Sequence, residues 1–196
     1  MKLSAHRFPL LLFVVLWLGI WGWMRLVLEI YAGPLDPDPV LRPYLDVAPV
    51  TNAWLALWQR WDALHYQAIA ERGYEAFDTA LFTPPLYPFL MHLLSPLFGS
   101  TLVAGIFVAT IAYAIGLSLF YQLALLELSR ERAAQRALIY LMLFPTAFFF
   151  FAPYTESLFF LGSVGPMLAL RRNEWLRAGL WGSLAAASRL PGALIV

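Results

Sequence analysis

Asp62, His65 and Tyr66 stand together in Trp61-Asp62-Ala63-Leu64-His65-Tyr66, a carboxylate followed by an imidazole at i+3 and a phenol at i+4. On a helix this spacing turns all three toward one side. A carboxylate that is partly desolvated at a membrane surface, with an imidazole near it, can act as a general base. The plainer reading keeps Asp62 and Arg60 as solvated loop charges. Glu156, in Tyr154-Thr155-Glu156-Ser157, lies between two apolar runs. An acid so placed is a functional candidate, or else a first-turn residue complementing a helix dipole beside a Thr155 or Ser157 cap. Arg189 is the one basic residue deep in the last apolar run. There a guanidinium either neutralises a phosphate or pairs with an acid on a neighbouring helix. His92 sits in an apolar segment and reads as a packed or hydrogen-bonded structural histidine. Arg25 and Glu29, at i and i+4 in the first apolar run, most simply neutralise each other.

Other chemistries are excluded by what is missing. The chain has no cysteine, so disulfides, thiolate metal sites and a cysteine nucleophile are ruled out. It has no Gly-rich phosphate loop, no His-Glu-x-x-His and no nucleophile elbow. A nucleotide-sugar transferase would need a Rossmann-like domain. The 196 residues leave no room for one beside the apolar runs, so any donor sugar must arrive on a lipid. A net charge of +1 gives no reason to expect nucleic acid. No metal ligands and no firm cofactor are assigned, with a divalent cation left open.

The elements that must position these residues are apolar. Hydrophobic residues make up 61% of the chain and charged ones 13%, against about 25% charged in an ordinary soluble domain. The pattern predicts an all-α, polytopic transmembrane protein. Phe8–Ile30 is longer than the about 7–15 residues of a signal-peptide core and lacks a good cleavage site, so it reads as a retained first helix. The long polar stretch 31–80 begins with Gly33-Pro34-Leu35-Asp36-Pro37-Asp38-Pro39, which cannot be regular helix. Trp54–Arg72 follows with helical spacing. Trp54, Trp58 and Trp61 would share one face, suited to a helix lying in the headgroup region. Leu86–Phe98 is too short to cross and fits an interfacial or re-entrant segment. Crossings are expected at 102–126 and 137–153, and further apolar runs at 158–170 and 178–196. The whole chain, 1–196, reads as one transmembrane domain, with 31–101 as a first extracytoplasmic loop carrying juxtamembrane helices.

Charge sets the orientation. With the N-terminus in the cytoplasm and 86–98 on the outer surface, eight of the thirteen Lys and Arg residues fall on the cytoplasmic side. They are Lys2, Arg7, Arg130, Arg132, Arg136, Arg171, Arg172 and Arg177. The loop 31–80 holds three basic residues against seven acids. This arrangement satisfies the positive-inside rule, and it places 31–80 and Tyr154–Ser157 together on the outer side.

Three blocks carry a family resemblance. Trp61-Asp62-Ala63-Leu64-His65-Tyr66 with Ile69-Ala70, Gly73-Tyr74 and Phe82…Pro85-Leu86-Tyr87-Pro88 is the first. Phe144-Pro145-Thr146-Ala147-Phe148 leading into Tyr154-Thr155-Glu156-Ser157-Leu158-Phe159 is the second, and Ala187-Ser188-Arg189-Leu190-Pro191-Gly192 the third. Together, in this order, they resemble the PIG-V family of mannosyltransferases, which includes the enzyme adding the second mannose to the glycosylphosphatidylinositol anchor precursor.

The resemblance implies a GT-C fold and a polyprenyl- or dolichyl-phosphate-mannose donor. It also implies a lipid or glycolipid acceptor at the non-cytoplasmic face of a bacterial plasma membrane or of the endoplasmic reticulum. It implies that Asp62, the acid in the first outer loop, is the catalytic residue; His65, Tyr66, Tyr154, Glu156 and Arg189 are the further candidates for binding substrate. Family members are longer, and this chain ends within an apolar run, so it reads as their N-terminal portion. Two competing readings are a GT-C transferase for another sugar or a protein acceptor, and a non-catalytic scaffold or transporter subunit. Transporters carry internal repeats with ionisable residues near the midplane. No repeat is evident here, and the acids cluster in one loop.

Overall fold

The computed structural model describes residues 4–30, 46–75 and 81–195. Every regular element among them is a helix. The α-helices are α1 (Ser4–Ile30), α2 (Ala53–Ala56), α3 (Asp62–Arg72), α4 (Leu86–Phe98), α5 (Thr101–Leu128), α6 (Glu131–Met142), α7 (Glu156–Arg171) and α8 (Trp175–Ser188). Short 3-10 turns cover Ala147–Phe150 and Leu190–Leu194. The proline-rich segment 33–39 lies outside the described residues.

Two helices, α1 and α5, are long and apolar enough to cross a bilayer. Their surroundings differ. Within its apolar window α5 is 56% buried, while α1 is 11% buried. The helix α5 is therefore the axis on which α1, α4, α6 and α7 lean, while α8 packs on α7. α1 rests on α5 by one seam, with Phe13 edge-on to Tyr113 at 6.0 Å and Phe8 against Tyr121 at 5.6 Å. Its other faces leave Leu11, Leu18, Trp23 and Ile30 bare, a surface that lipid tails would cover.

Local signals explain the boundaries. Gly99 closes α4 at φ 65°, a left-handed position that suits glycine. Ser100 then opens α5 by accepting from the Val103 amide. Asp62 and Glu156 stand in the first turns of α3 and α7, and Arg72 and Arg171 in their last, as the helix dipole favours. The helices α7 and α8 form a close antiparallel hairpin. A Cβ on Gly162 would lie 2.6 Å from the Ala185 nitrogen, and one on Gly165 would lie 2.4 Å from Trp181 Cγ. Small residues are what allow such approach.

Two expectations need revision. The first concerns the tryptophan-rich segment, which is not one helix. It is helical over Ala53–Ala56, unwinds, and restarts at Asp62. The buried Gln59 carboxamide accepts from the Val50 amide at 3.0 Å and donates to the Ala48 carbonyl at 2.9 Å and to Gln67 Oε1 at 2.9 Å. These bonds fold the segment back on itself. Trp61 takes φ 47°, ψ −122° at the break. Trp54 and Trp58 pack on Trp21 of α1 at 5.9 and 6.2 Å, while Trp61 is exposed.

The second is the run 137–153, which does not form a single crossing helix. α6 ends at Met142, and the chain turns before Ala147–Phe150. Pro145 offers no amide to continue a helix and clashes with the preceding turn. At about 1.5 Å per residue, α7 and α8 are about 24 and 21 Å long, short of a hydrocarbon core of about 30 Å.

Candidate active site

The break at Trp61 sets the site. Because α3 starts at Asp62, that carboxylate is exposed at a helix end instead of lying mid-helix. Tyr66, one turn on, keeps the i, i+4 relation and is buried. Both line a cavity of about 200 Å³. Leu81, Phe82 and Thr83 form a second wall, and Ser188, Arg189, Leu190 and Pro191 at the end of α8 form a third. Residues far apart in sequence thus converge at the ends of α3 and α8.

Arg189 Nη1 donates to Glu156 Oε1 across 2.7 Å. The pairing reading of Arg189 is therefore realised, with Glu156 on the first turn of α7 as its acid. Arginine has five N–H donors, and among the described residues Nη1 is the one that meets Glu156. The guanidinium is partly exposed and also lies 6.0 Å from the Phe159 ring centroid.

The other expected site residues stand around the cavity and not on its wall. His65 is half-buried, with its ring stacked on Phe82 at 4.1 Å and 14°. Tyr154 is buried, and its hydroxyl donates to the Arg60 carbonyl at 3.0 Å. Thr155 forms no side-chain cap of α7. Its Oγ1 instead lies 3.4 Å from the Tyr66 hydroxyl. Ser157 likewise uses its hydroxyl on the Phe150 carbonyl, at 2.6 Å. His92 Nδ1 sits 2.8 Å from the Ala70 carbonyl, and Arg25 pairs with Glu29.

The electrostatics of Tyr66 follow from this packing. Burial pushes its phenol up to about 12, and the nearby Glu156 and Asp62 carboxylates push the same way. The Thr155 hydroxyl and Arg189 oppose the shift. Tyr66 is therefore a neutral hydrogen-bonding group at any ordinary pH. Tyr87 packs edge-on against it at 5.3 Å. Complete burial raises the Tyr87 phenol well above its ordinary range, and its hydroxyl has no hydrogen-bond partner among the described residues. Gly105 admits that hydroxyl, since a Cβ there would lie 2.9 Å from it.

The reading of single residues missed Thr155 as a partner of Tyr66, and it missed the whole Gln59–Gln67 network. The network continues from Gln67 to Thr101 at 3.3 Å and from Thr101 to Glu71 at 2.7 Å. Neither link leaves a trace in local spacing. Among the described residues no three His, Asp or Glu side chains gather as a metal site would require.

The helices and the site define a membrane-associated helical protein with a carboxylate and a guanidinium on one polar cavity. A family model described as Mannosyltransferase (PIG-V) matches residues 11–195. The chain belongs to that family, whose activity is mannosyl transfer. No curated protein and no solved structure matches it.

Proposed function

We propose that the protein transfers mannose from a polyprenyl- or dolichyl-phosphate-mannose donor to a hydroxyl of a lipid-linked acceptor, in the manner of GT-C enzymes. The reaction takes place on the non-cytoplasmic face, with the N-terminus in the cytoplasm. The basic patches at 130–136 and 171–177 and the acidic loop 31–80 support that orientation. The observation that carries the proposal is that Asp62 and Arg189 line one cavity.

Asp62 takes the proton of the acceptor hydroxyl as its oxygen attacks the anomeric carbon. The bond from that carbon to the phosphate oxygen breaks, and its electron pair leaves with the polyprenyl phosphate. Attack opposite the leaving group inverts the centre. Arg189 turns its remaining N–H donors to the phosphate, where charge builds up, while Glu156 fixes the other edge of the guanidinium. Tyr66, held protonated, donates to a sugar or phosphate oxygen. His65 and Tyr154 act from behind, His65 by stacking on Phe82 and Tyr154 by holding the turn before Asp62.

The test is mannose transfer from polyprenyl-phosphate-mannose in membranes, comparing the wild type with Asp62→Asn. A loss of about 10²–10⁴-fold with unchanged expression is expected for removal of a general base. Wild-type rates in Asp62→Asn would sink the assignment. Absence of mannose transfer by well-expressed wild type would sink the donor assignment.

A further inference from the structure

A second cavity, of about 580 Å³, opens at the far end of α3. Ile69 to Glu75 line it from α3 and its exit, and Pro85, Pro88, Phe89 and His92 line it from the start of α4. Asp62, Tyr66 and Ala70 fall at i, i+4 and i+8 on one face of α3, and Gly73 follows as its C-cap. The two cavities therefore lie in line along α3. Ala70 is about 12 Å along the axis from Asp62 at about 1.5 Å per residue. The Tyr74 hydroxyl bridges them by donating to the Phe82 carbonyl at 3.4 Å.

Size and charge separate their tasks. The cavity at Asp62, about 200 Å³, is smaller than the about 300–1,000 Å³ usual for small-molecule sites, whereas the second falls within that range. Around the second, Glu75 adds a carboxylate, while Glu71 accepts from Thr101 and Arg72 donates to the Asp46 carbonyl. That balance disfavours a phosphate. Two rings, Tyr74 and Phe89, stand exposed at its edge. Flat aromatic faces and carboxylates suit the apolar face and the hydroxyls of a sugar.

We propose that this cavity, at the other end of α3 from Asp62, binds the sugar-bearing head of the acceptor glycolipid. The inference rests on the mannosyl-transfer reading of the Asp62 cavity. It assigns the donor phosphate to the Arg189 end and the body of the acceptor to the Tyr74–Phe89 end.

The experiment uses Phe89→Ala and Tyr74→Ala, both at exposed positions, in membranes supplied with polyprenyl-phosphate-mannose and octyl α-mannoside as acceptor analogue. The KM for octyl α-mannoside is expected to rise about tenfold or more, since aromatic anchors dominate such sites. In Phe89→Ala the donor KM should stay unchanged. An unchanged acceptor KM, or a donor KM rising by the same factor, would overturn the proposal. A second measurement is independent of turnover. Saturation-transfer NMR with methyl α-mannoside on purified protein in nanodiscs should show a signal that falls several-fold in Phe89→Ala and resists inorganic phosphate. No wild-type signal, one that survives Phe89→Ala, or one displaced by phosphate would overturn the cavity assignment. Failure of mannose transfer by the wild type, with this signal intact, would overturn only the donor reading.

Discussion

The Tyr154 hydroxyl donates to the Arg60 carbonyl across 3.0 Å of space and 94 residues of sequence. Arg60 precedes Trp61, whose φ of 47° is a region that a bulky residue enters only when its surroundings hold it there. Asp62 follows immediately as the first residue of α3. The start of α7 is thus tied to the turn that precedes Asp62, and under the proposed mechanism Tyr154 is a positioning residue.

Tyr154→Phe keeps the ring and removes that bond, leaving the Arg60 carbonyl without it. Stability is expected to fall by about 1 kcal/mol, the net worth of one such hydrogen bond. The turnover rate should fall about tenfold with both KM values nearly unchanged, because misaiming a base costs the transition state more than binding. Thermal unfolding and steady-state kinetics together check this. A stability loss with a wild-type turnover rate would reduce Tyr154 to a packing role.

What the sequence disclosed and what it hid divide along physical lines. α1 and α5 were legible because a continuous apolar run has few alternatives at that length. Asp62, Glu156 and Arg189 were legible as candidates because a lone charge beside or within an apolar run calls for a reason. Their partnership was not, since 33 residues separate Glu156 from Arg189 and only the packing of α7 on α8 joins them. The helix expected over 54–72 failed for a tertiary reason as well. Gln59 looks unremarkable in sequence, yet its buried carboxamide bonds three separate groups and breaks the helix. Thr155 has the right type and place for a cap, but spends its hydroxyl on Tyr66.

Tyr66 predicts a pH signature. Its phenol ordinarily ionises near 10 and is held at about 12 in the folded protein. Below pH 10 it is neutral in both states. Between pH 10 and 12 the unfolded chain releases the proton while the folded one retains it, so stability falls as pH rises. Tyr66→Phe should therefore flatten the loss of Tm across that window relative to wild type. An identical Tm profile in the two proteins would refute the shift. Near neutral pH the same variant should lower transfer without moving the alkaline limb of the rate profile, because Tyr66 carries its proton throughout.

Arg189 and Glu156 should behave as one unit. Removing a donor aimed at developing charge costs about 10²–10³-fold in rate, and Arg189→Gln is expected at the lower end because the guanidinium is partly exposed. Glu156→Gln keeps an acceptor oxygen but loses the charge that fixes the arginine, so about a tenfold loss is expected. The double variant should be no slower than Arg189→Gln alone, since residues in direct contact are not additive. Independent, multiplying losses in the kinetic cycle would show that Glu156 acts on substrate by itself.

Gly192 is the residue on which the Arg189 end of the cavity depends. A Cβ there would lie 2.0 Å from the Ala185 carbonyl oxygen and 2.2 Å from its carbon. These are backbone atoms, so no side-chain rotation can relieve the clash. The 3-10 turn Leu190–Leu194 would have to lift from α8, taking Leu190 and Pro191 of the cavity wall with it. Gly192→Ala is expected to cost about 1–3 kcal/mol, the usual penalty for overpacking, and to raise the donor KM as Arg189 shifts. Gly179→Ala supplies the control on α8. Nothing lies within 4 Å of a Cβ at that position, so the change should leave transfer intact and add about 0.5–1 kcal/mol of helix stability. Unfolding and donor kinetics on the two variants decide the matter. Equal behaviour of the pair would mean that the turn is not pinned by close approach to α8.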